Sequence, residues 1–246
     1  MSRYKCIVSY DGSDYHGWQS QRNHQTVQET INNVIDRLHG HHIKIMASGR
    51  TDQHVHALGQ VFHFDSDMKI PEGQWIKAIN HRLPKDIRII DIKIVADDFH
   101  ARYSARKKRY DYYVNTNAYD LFQCDHIFQL NQKIDLQSIK ETSSIFLGEH
   151  DFSSFCSNNL TDTPNQVRVI ETIDIEETNG IIHFIFIGNG FMRYMVRMIV
   201  GTLIEVGKGK LTKSAVIQML EAKSKTACRY KAKPEGLYLV EVFYDD

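Results

Sequence analysis

The sequence predicts an α+β fold in which sheets are covered by helices, and three observations lead there. Strand-like alternation and helical spacing of apolar residues both recur along the chain. They follow one another without the regular strand–helix–strand rhythm of a parallel, doubly wound sheet. The 246 residues, 42% hydrophobic and 24% charged, suffice for one large domain or two smaller ones with separate cores.

A first strand is expected over 4–10, closed by the turn pair Asp11-Gly12. Thr26 and Glu29 then have capping-box spacing, Val27, Ile31, Val34, Ile35 and Leu38 recur at helical intervals, and Gly40 is the stop. Short strands are expected at 43–47 and 60–64, with the loop Ser48-Gly49-Arg50-Thr51-Asp52-Gln53-His54-Val55-His56 between them. A helix over 74–82 ends before Pro84, and 87–95 alternates as a strand. The charged connector His100-Ala101-Arg102-Tyr103-Ser104-Ala105-Arg106-Lys107-Lys108-Arg109 feeds a strand over 110–114. Beyond it the pattern predicts a helix over 136–147, strands over 167–175 and 181–187, helices over 191–206 and 214–222, and a last strand over 237–244. No repeat or low-complexity segment occurs. The connector divides an N-terminal subdomain, 1–104, from a C-terminal one, 105–246.

The 30 basic and 30 acidic side chains cancel, so net charge does not point to a polyanionic partner and charge must be counted locally. Arg102, Arg106, Lys107, Lys108 and Arg109 form one run without an acid, and Lys223, Lys225, Arg229, Lys231 and Lys233 form another. Acids gather elsewhere, as at Glu171, Asp174, Glu176 and Glu177. Such runs are usually solvated surface, but segregated charge on a neutral chain also permits a basic cleft. The four cysteines make no CxxC pair, which predicts free thiols in a reducing cytoplasm. The opening residues lack the apolar stretch of a signal peptide, and the apolar runs are too short to span a bilayer. A soluble cytoplasmic protein is therefore expected.

Chemistry is suggested first by Arg197. It sits on a predicted helix that is apolar nearly all round, and such a helix is normally buried. A buried guanidinium keeps its charge and needs an anion, although the side chain could instead reach solvent from the helix edge. Asp52 is a candidate anion, because its loop hangs between two short strands, where functional carboxylates concentrate. Asp52 and Thr51 could equally bond nearby backbone amides. His39, His41, His42, His54, His56 and His63 invite a metal reading, but no Cys or carboxylate completes a ligand spacing, so no metal is expected.

Five segments in order resemble the tRNA pseudouridine synthase A family along nearly the entire chain. They are Tyr10-Asp11-Gly12 through His16-Gly17-Trp18-Gln19 with Thr26-Val27-Gln28-Glu29; Gly49-Arg50-Thr51-Asp52 with Val55-His56-Ala57; Phe99-His100-Ala101-Arg102 with Ser104-Ala105 and Tyr110; Gly190-Phe191 with Met195-Val196-Arg197 and Ile199-Val200-Gly201-Thr202-Leu203; and Gly236-Leu237-Tyr238-Leu239-Val240. The resemblance implies the pseudouridine synthase fold: two subdomains of mainly antiparallel sheet flanked by helices, with a central cleft. It implies a cofactor-free isomerase acting on uridines 38, 39 and 40 of the tRNA anticodon stem-loop, and a homodimer that grips the tRNA. By the same resemblance Asp52 is the nucleophile, Arg197 is its ion-pair partner and Tyr110 packs on the target base. Arg50 and Arg102 are expected to contact the RNA.

One departure from the family pattern follows the aspartate, where a small residue and then Gly give way to Gln53 and His54. A glycine there could serve a left-handed backbone or a close approach of RNA, and His tolerates the former better than most residues. The departure keeps open a non-catalytic tRNA-binding protein of the same fold. A metal-dependent hydrolase built on the histidines is the third, weaker reading.

Overall fold

In the computed structural model, which describes residues 1–157 and 164–245, strand β1 runs Ser2–Tyr10 and buries every second side chain from Tyr4 to Tyr10. The described chain divides by its internal contacts into two units, Met1–Arg106 with Tyr238–Asp246, and Lys107–Leu237.

In the first unit, helix α1 (Val27–His39) forms as the pattern predicts. The Thr26 hydroxyl accepts from the Glu29 amide, and Gly40 closes the helix with φ 73°. Strand β2 is only Met46–Ala47, because the Ile43 amide goes to the Asp36 carboxylate rather than to a neighbouring strand. Strand β3 (His56–Ser66) is longer than the predicted 60–64, since its first residues are also paired: Ala57 lies opposite Tyr10. Helix α2 is Glu72–Asn80 and strand β4 is Ile87–Val95, the latter as predicted. Strand β1 is antiparallel to both β3 and β4. The core is aromatic, with Tyr4 stacked on Phe64 at 5.3 Å and Trp75 edge-on to both.

The second unit contains β5 (Ala105–Asn115), β6 (Phe128–Gln129), α3 (Leu136–Ser143, continued by a 3₁₀ turn to Phe146), β7 (Gly148–Asp151), β8 (Val167–Thr178), β9 (Ile181–Gly188), α4 (Met195–Gly207) and α5 (Lys213–Glu221). Its sheet runs β5-β9-β8-β7, antiparallel throughout, with β6 parallel on the margin of β5. Strands β6 and β7 are too short and polar to have given a period-two signal. Strand β5 begins inside the charged connector, not at residue 110, because Lys108 and Arg109 are registered against Gly188 and Ile187.

Two boundaries alter how the sequence is read. The last strand, β10 (Leu237–Tyr244), belongs to the first unit, where Tyr238 and Leu239 pair in parallel with His56 and Ala57. Helix α4 starts at Met195 instead of 191, because Tyr194 takes the left-handed conformation at φ 66° and Met195 closes a turn onto Met192.

Candidate active site

The loop carrying Asp52 is built by contacts at both ends. At its start the Ser48 amide donates to Val61, the Ser48 hydroxyl donates to Gln60 Oε1 at 2.6 Å, and Gln60 Nε2 donates to the Gly49 carbonyl. Gln60 is fully buried and holds the loop to β3. Next, Thr51 is buried and shares a 2.8 Å hydrogen bond with the Tyr10 hydroxyl. Burial pushes the Tyr10 phenol well above its usual range, so it stays protonated there. The Val55 amide then donates to the Asp52 carbonyl, which makes residues 52–55 a turn.

Behind this turn runs the segment Asp11–Trp18, backbone against backbone. A Cβ on Gly12 would stand 2.1 Å from the Val55 carbonyl oxygen. A Cβ on Gly17, whose φ is +83°, would stand 2.6 Å from the Thr51 oxygen and 3.0 Å from the Asp52 carbonyl carbon. Only glycine fits a left-handed position under such an approach. The Trp18 amide donates to Thr51, and the His54 amide donates to Tyr15. The sequence reading took Asp11-Gly12 merely as a strand-ending turn and gave Gly17 no role. The available signal was two glycines five residues apart in an otherwise bulky motif, but their partners lie about forty residues away.

Asp52 itself is half-buried. Arg50 and Arg102, both exposed, line one groove of about 660 Å³ together with Trp18, Asn32 and Lys44. Arg50 Nε donates to Gln19 at 2.9 Å, and Arg102 lies over the Tyr103 ring at 5.9 Å. The Arg102 turn is shaped by two histidines. His63 Nδ1 accepts from the Ala101 amide, and His100 Nδ1 accepts from the amides of Arg102 and Tyr103.

In the second unit Arg197 is buried, with 7% of its surface exposed, as its apolar helix requires. Its Nε donates to the Ala232 carbonyl at 3.0 Å, and the Ala232 amide returns a bond to the Arg197 carbonyl at 2.8 Å. Its guanidinium also lies 5.2 Å from the centre of the Tyr194 ring. Tyr110 is 8% exposed and meets Phe191 edge-on at 5.2 Å. Standing before α4 and not within it, Phe191 packs on Tyr110.

A family model described as tRNA pseudouridine synthase matches residues 6–104 and 143–245. The chain belongs to the tRNA pseudouridine synthase family. A tRNA pseudouridine synthase A of Oceanobacillus iheyensis is 42% identical over 248 residues, covering 100% of this chain and 98% of that protein. A tRNA pseudouridine synthase A 1 of Bacillus cereus is 42% identical over 248 residues, with 100% of both chains covered. That of Exiguobacterium sibiricum is 42% identical over 246 residues, covering 100% of this chain and 98% of its own.

For this pseudouridine synthase the departure after Asp52 acquires a shape. His54 takes φ 62°, the left-handed conformation anticipated for that position, and its ring bonds to the chain on both sides. Four other histidines contact protein groups through the ring. His39 joins Ser66 and stacks on Trp75, His41 meets the His39 carbonyl, His42 meets Asp36, and His56 accepts from the Gly12 amide.

Three members of the first basic run stand beside acids. Arg106 is paired with Asp245, Lys107 with Glu171 at 2.6 Å, and Arg109 with Asp111 through two bonds of 2.7 and 2.8 Å. Charges separated along the chain are adjacent in space, because β5 and its neighbours bring the acids in. The second run differs. Among the described residues none of Lys223, Lys225, Arg229, Lys231 and Lys233 is paired with a carboxylate. Lys231 lies 4.3 Å from the centre of the Tyr194 ring, and Arg193 lies 4.8 Å from it. No helix among the described residues is long and apolar enough to cross a membrane.

Proposed function

We propose that this chain isomerises uridine to pseudouridine at positions 38, 39 and 40 of the tRNA anticodon stem-loop, as a cytoplasmic homodimer, with Asp52 as the nucleophile. The reading rests on one observation, kinship with tRNA pseudouridine synthases over the full length of the chain. The pinned Asp52 loop and the buried Arg197 are what such chemistry asks of a fold.

The reaction breaks C1′–N1 and C5–H and forms C1′–C5 and N1–H between the same base and sugar. Nothing is gained or lost, so no cofactor or metal is called for. The ionised Asp52 carboxylate attacks the nucleotide and divides one hard step into two easier ones. A carboxylate shut away from water would rise in pKa, and the Arg197 charge is proposed to oppose that rise. The target base must leave its stack, which costs about a few kcal/mol. Stacking on Tyr110 returns about 1–3 kcal/mol. Arg50 and Arg102, together on one groove, take RNA phosphates.

The test is direct. Purified protein is incubated with a tRNA transcript carrying uridine at 38, 39 and 40, with and without EDTA, and pseudouridine is mapped by chemical labelling and primer extension. Modification confined to those positions and indifferent to the chelator is expected. Modification elsewhere, or none, contradicts the assignment.

A further inference from the structure

We infer that His54 is a positioning residue, whose side chain straps the Asp52 turn to the segment behind it and so sets the carboxylate's aim. The inference rests on Asp52 being the catalytic carboxylate. Three features of the geometry point to it.

The first is the backbone. A non-glycine residue at φ 62° is uncommon and persists where its surroundings hold it there. The second is the set of bonds that hold it. The His54 amide donates to the Tyr15 carbonyl at 3.2 Å, and its ring Nδ1 bonds the Ser13 carbonyl oxygen. A carbonyl only accepts, so Nδ1 carries the proton. Nε2 is then the acceptor, and the Gln53 amide nitrogen donates to it from 2.9 Å. Both ring nitrogens are thus satisfied, Nδ1 by the Ser13 carbonyl and Nε2 by the neighbouring Gln53 side chain.

The third feature is the anchor. Ser13 is itself fixed, with its amide and hydroxyl both donating to Asp11 Oδ1 at 3.0 and 2.6 Å. The strap therefore ends on a rigid turn. Asp52 stands two residues before His54, inside the turn closed by the bond from the Val55 amide to the Asp52 carbonyl. A glycine at 54 would adopt the same φ without strain but would have no ring, and the turn could then swing about its remaining backbone bonds. An asparagine also tolerates this conformation, and its Nδ2 reaches about where Nδ1 lies.

The experiment measures kcat, KM, tRNA affinity and thermal midpoint for wild type, His54→Gly, His54→Asn and Asp52→Asn on one transcript. A 1 Å displacement of a reacting group can cost about 10²-fold, so His54→Gly should lose tenfold to about a hundredfold in kcat, with KM and tRNA affinity within about threefold. His54→Asn should recover most of that loss. Full kcat in His54→Gly would overturn the inference, because backbone conformation alone would then suffice. So would a His54→Gly defect that His54→Asn fails to rescue, or one that appears in KM and thermal midpoint with kcat unchanged. Activity in Asp52→Asn is a separate outcome, and it removes the catalytic reading on which the strap depends.

Discussion

A methyl group on residue 17 would collide with the backbone beneath Asp52, and the residue would also be held at φ +83°. Gly17→Ala should therefore lower stability by about 1–3 kcal/mol and lose activity out of proportion, which thermal unfolding and turnover measured side by side would show. His63 carries a second expectation. Burial, aided by the Arg3 charge, pushes its pKa down to about 4, and its Nδ1 must stay unprotonated to accept the Ala101 amide. Unfolded, it titrates near pH 6.5. Between those values the unfolded chain binds a proton that the folded chain does not. Its contribution is thus complete above pH 6.5 and falls, by on the order of 2 kcal/mol, as pH drops towards 4. Urea midpoints at pH 7 and pH 4.5 should separate further in wild type than in His63→Gln. The burial of Arg197 could be read from its apolar helix, whereas Asp52 stood out through the family resemblance and not through its loop alone. The reason for Gly12 and Gly17 could not be read, because it lies in a tertiary contact.

Among the elements, those with strong periodicity were legible and those set by neighbours were not. Helix α1 announced its cap, face and stop, and β4 its alternation. The start of α4 was missed because Tyr194, an aromatic with no helix-breaking signature, bends left-handed there. The basic runs were visible as runs, but the acids beside Arg106 and Lys107 in the first arrive from distant parts of the chain. The consequence is testable on tRNA affinity. Lys231→Gln should weaken binding uniformly and reduce the salt slope by about one, while Lys107→Gln, already neutralised by Glu171, should change it little. Equal effects would contradict this division. Arg197→Met should damage both stability and activity. The Ala232 carbonyl loses its buried donor, which costs about 1–3 kcal/mol, and on the proposed pairing with Asp52 activity should fall as well. A stable and active variant would show that the charge is not needed.

For the whole molecule, the mixed α+β architecture follows from local patterns, its mainly antiparallel sheet was implied by the family resemblance, and five motifs in order placed the chain in its family. The assignment of β10 to the first unit was not legible, since an apolar strand carries no mark of the sheet it will join. The central claim is that a fold of this family places its chemistry on one carboxylate. The most direct measurement compares pseudouridine formation and tRNA affinity in wild type and Asp52→Ala. Loss of detectable pseudouridine, with affinity kept within a few-fold, is the expected result. Unchanged turnover in Asp52→Ala would contradict the account.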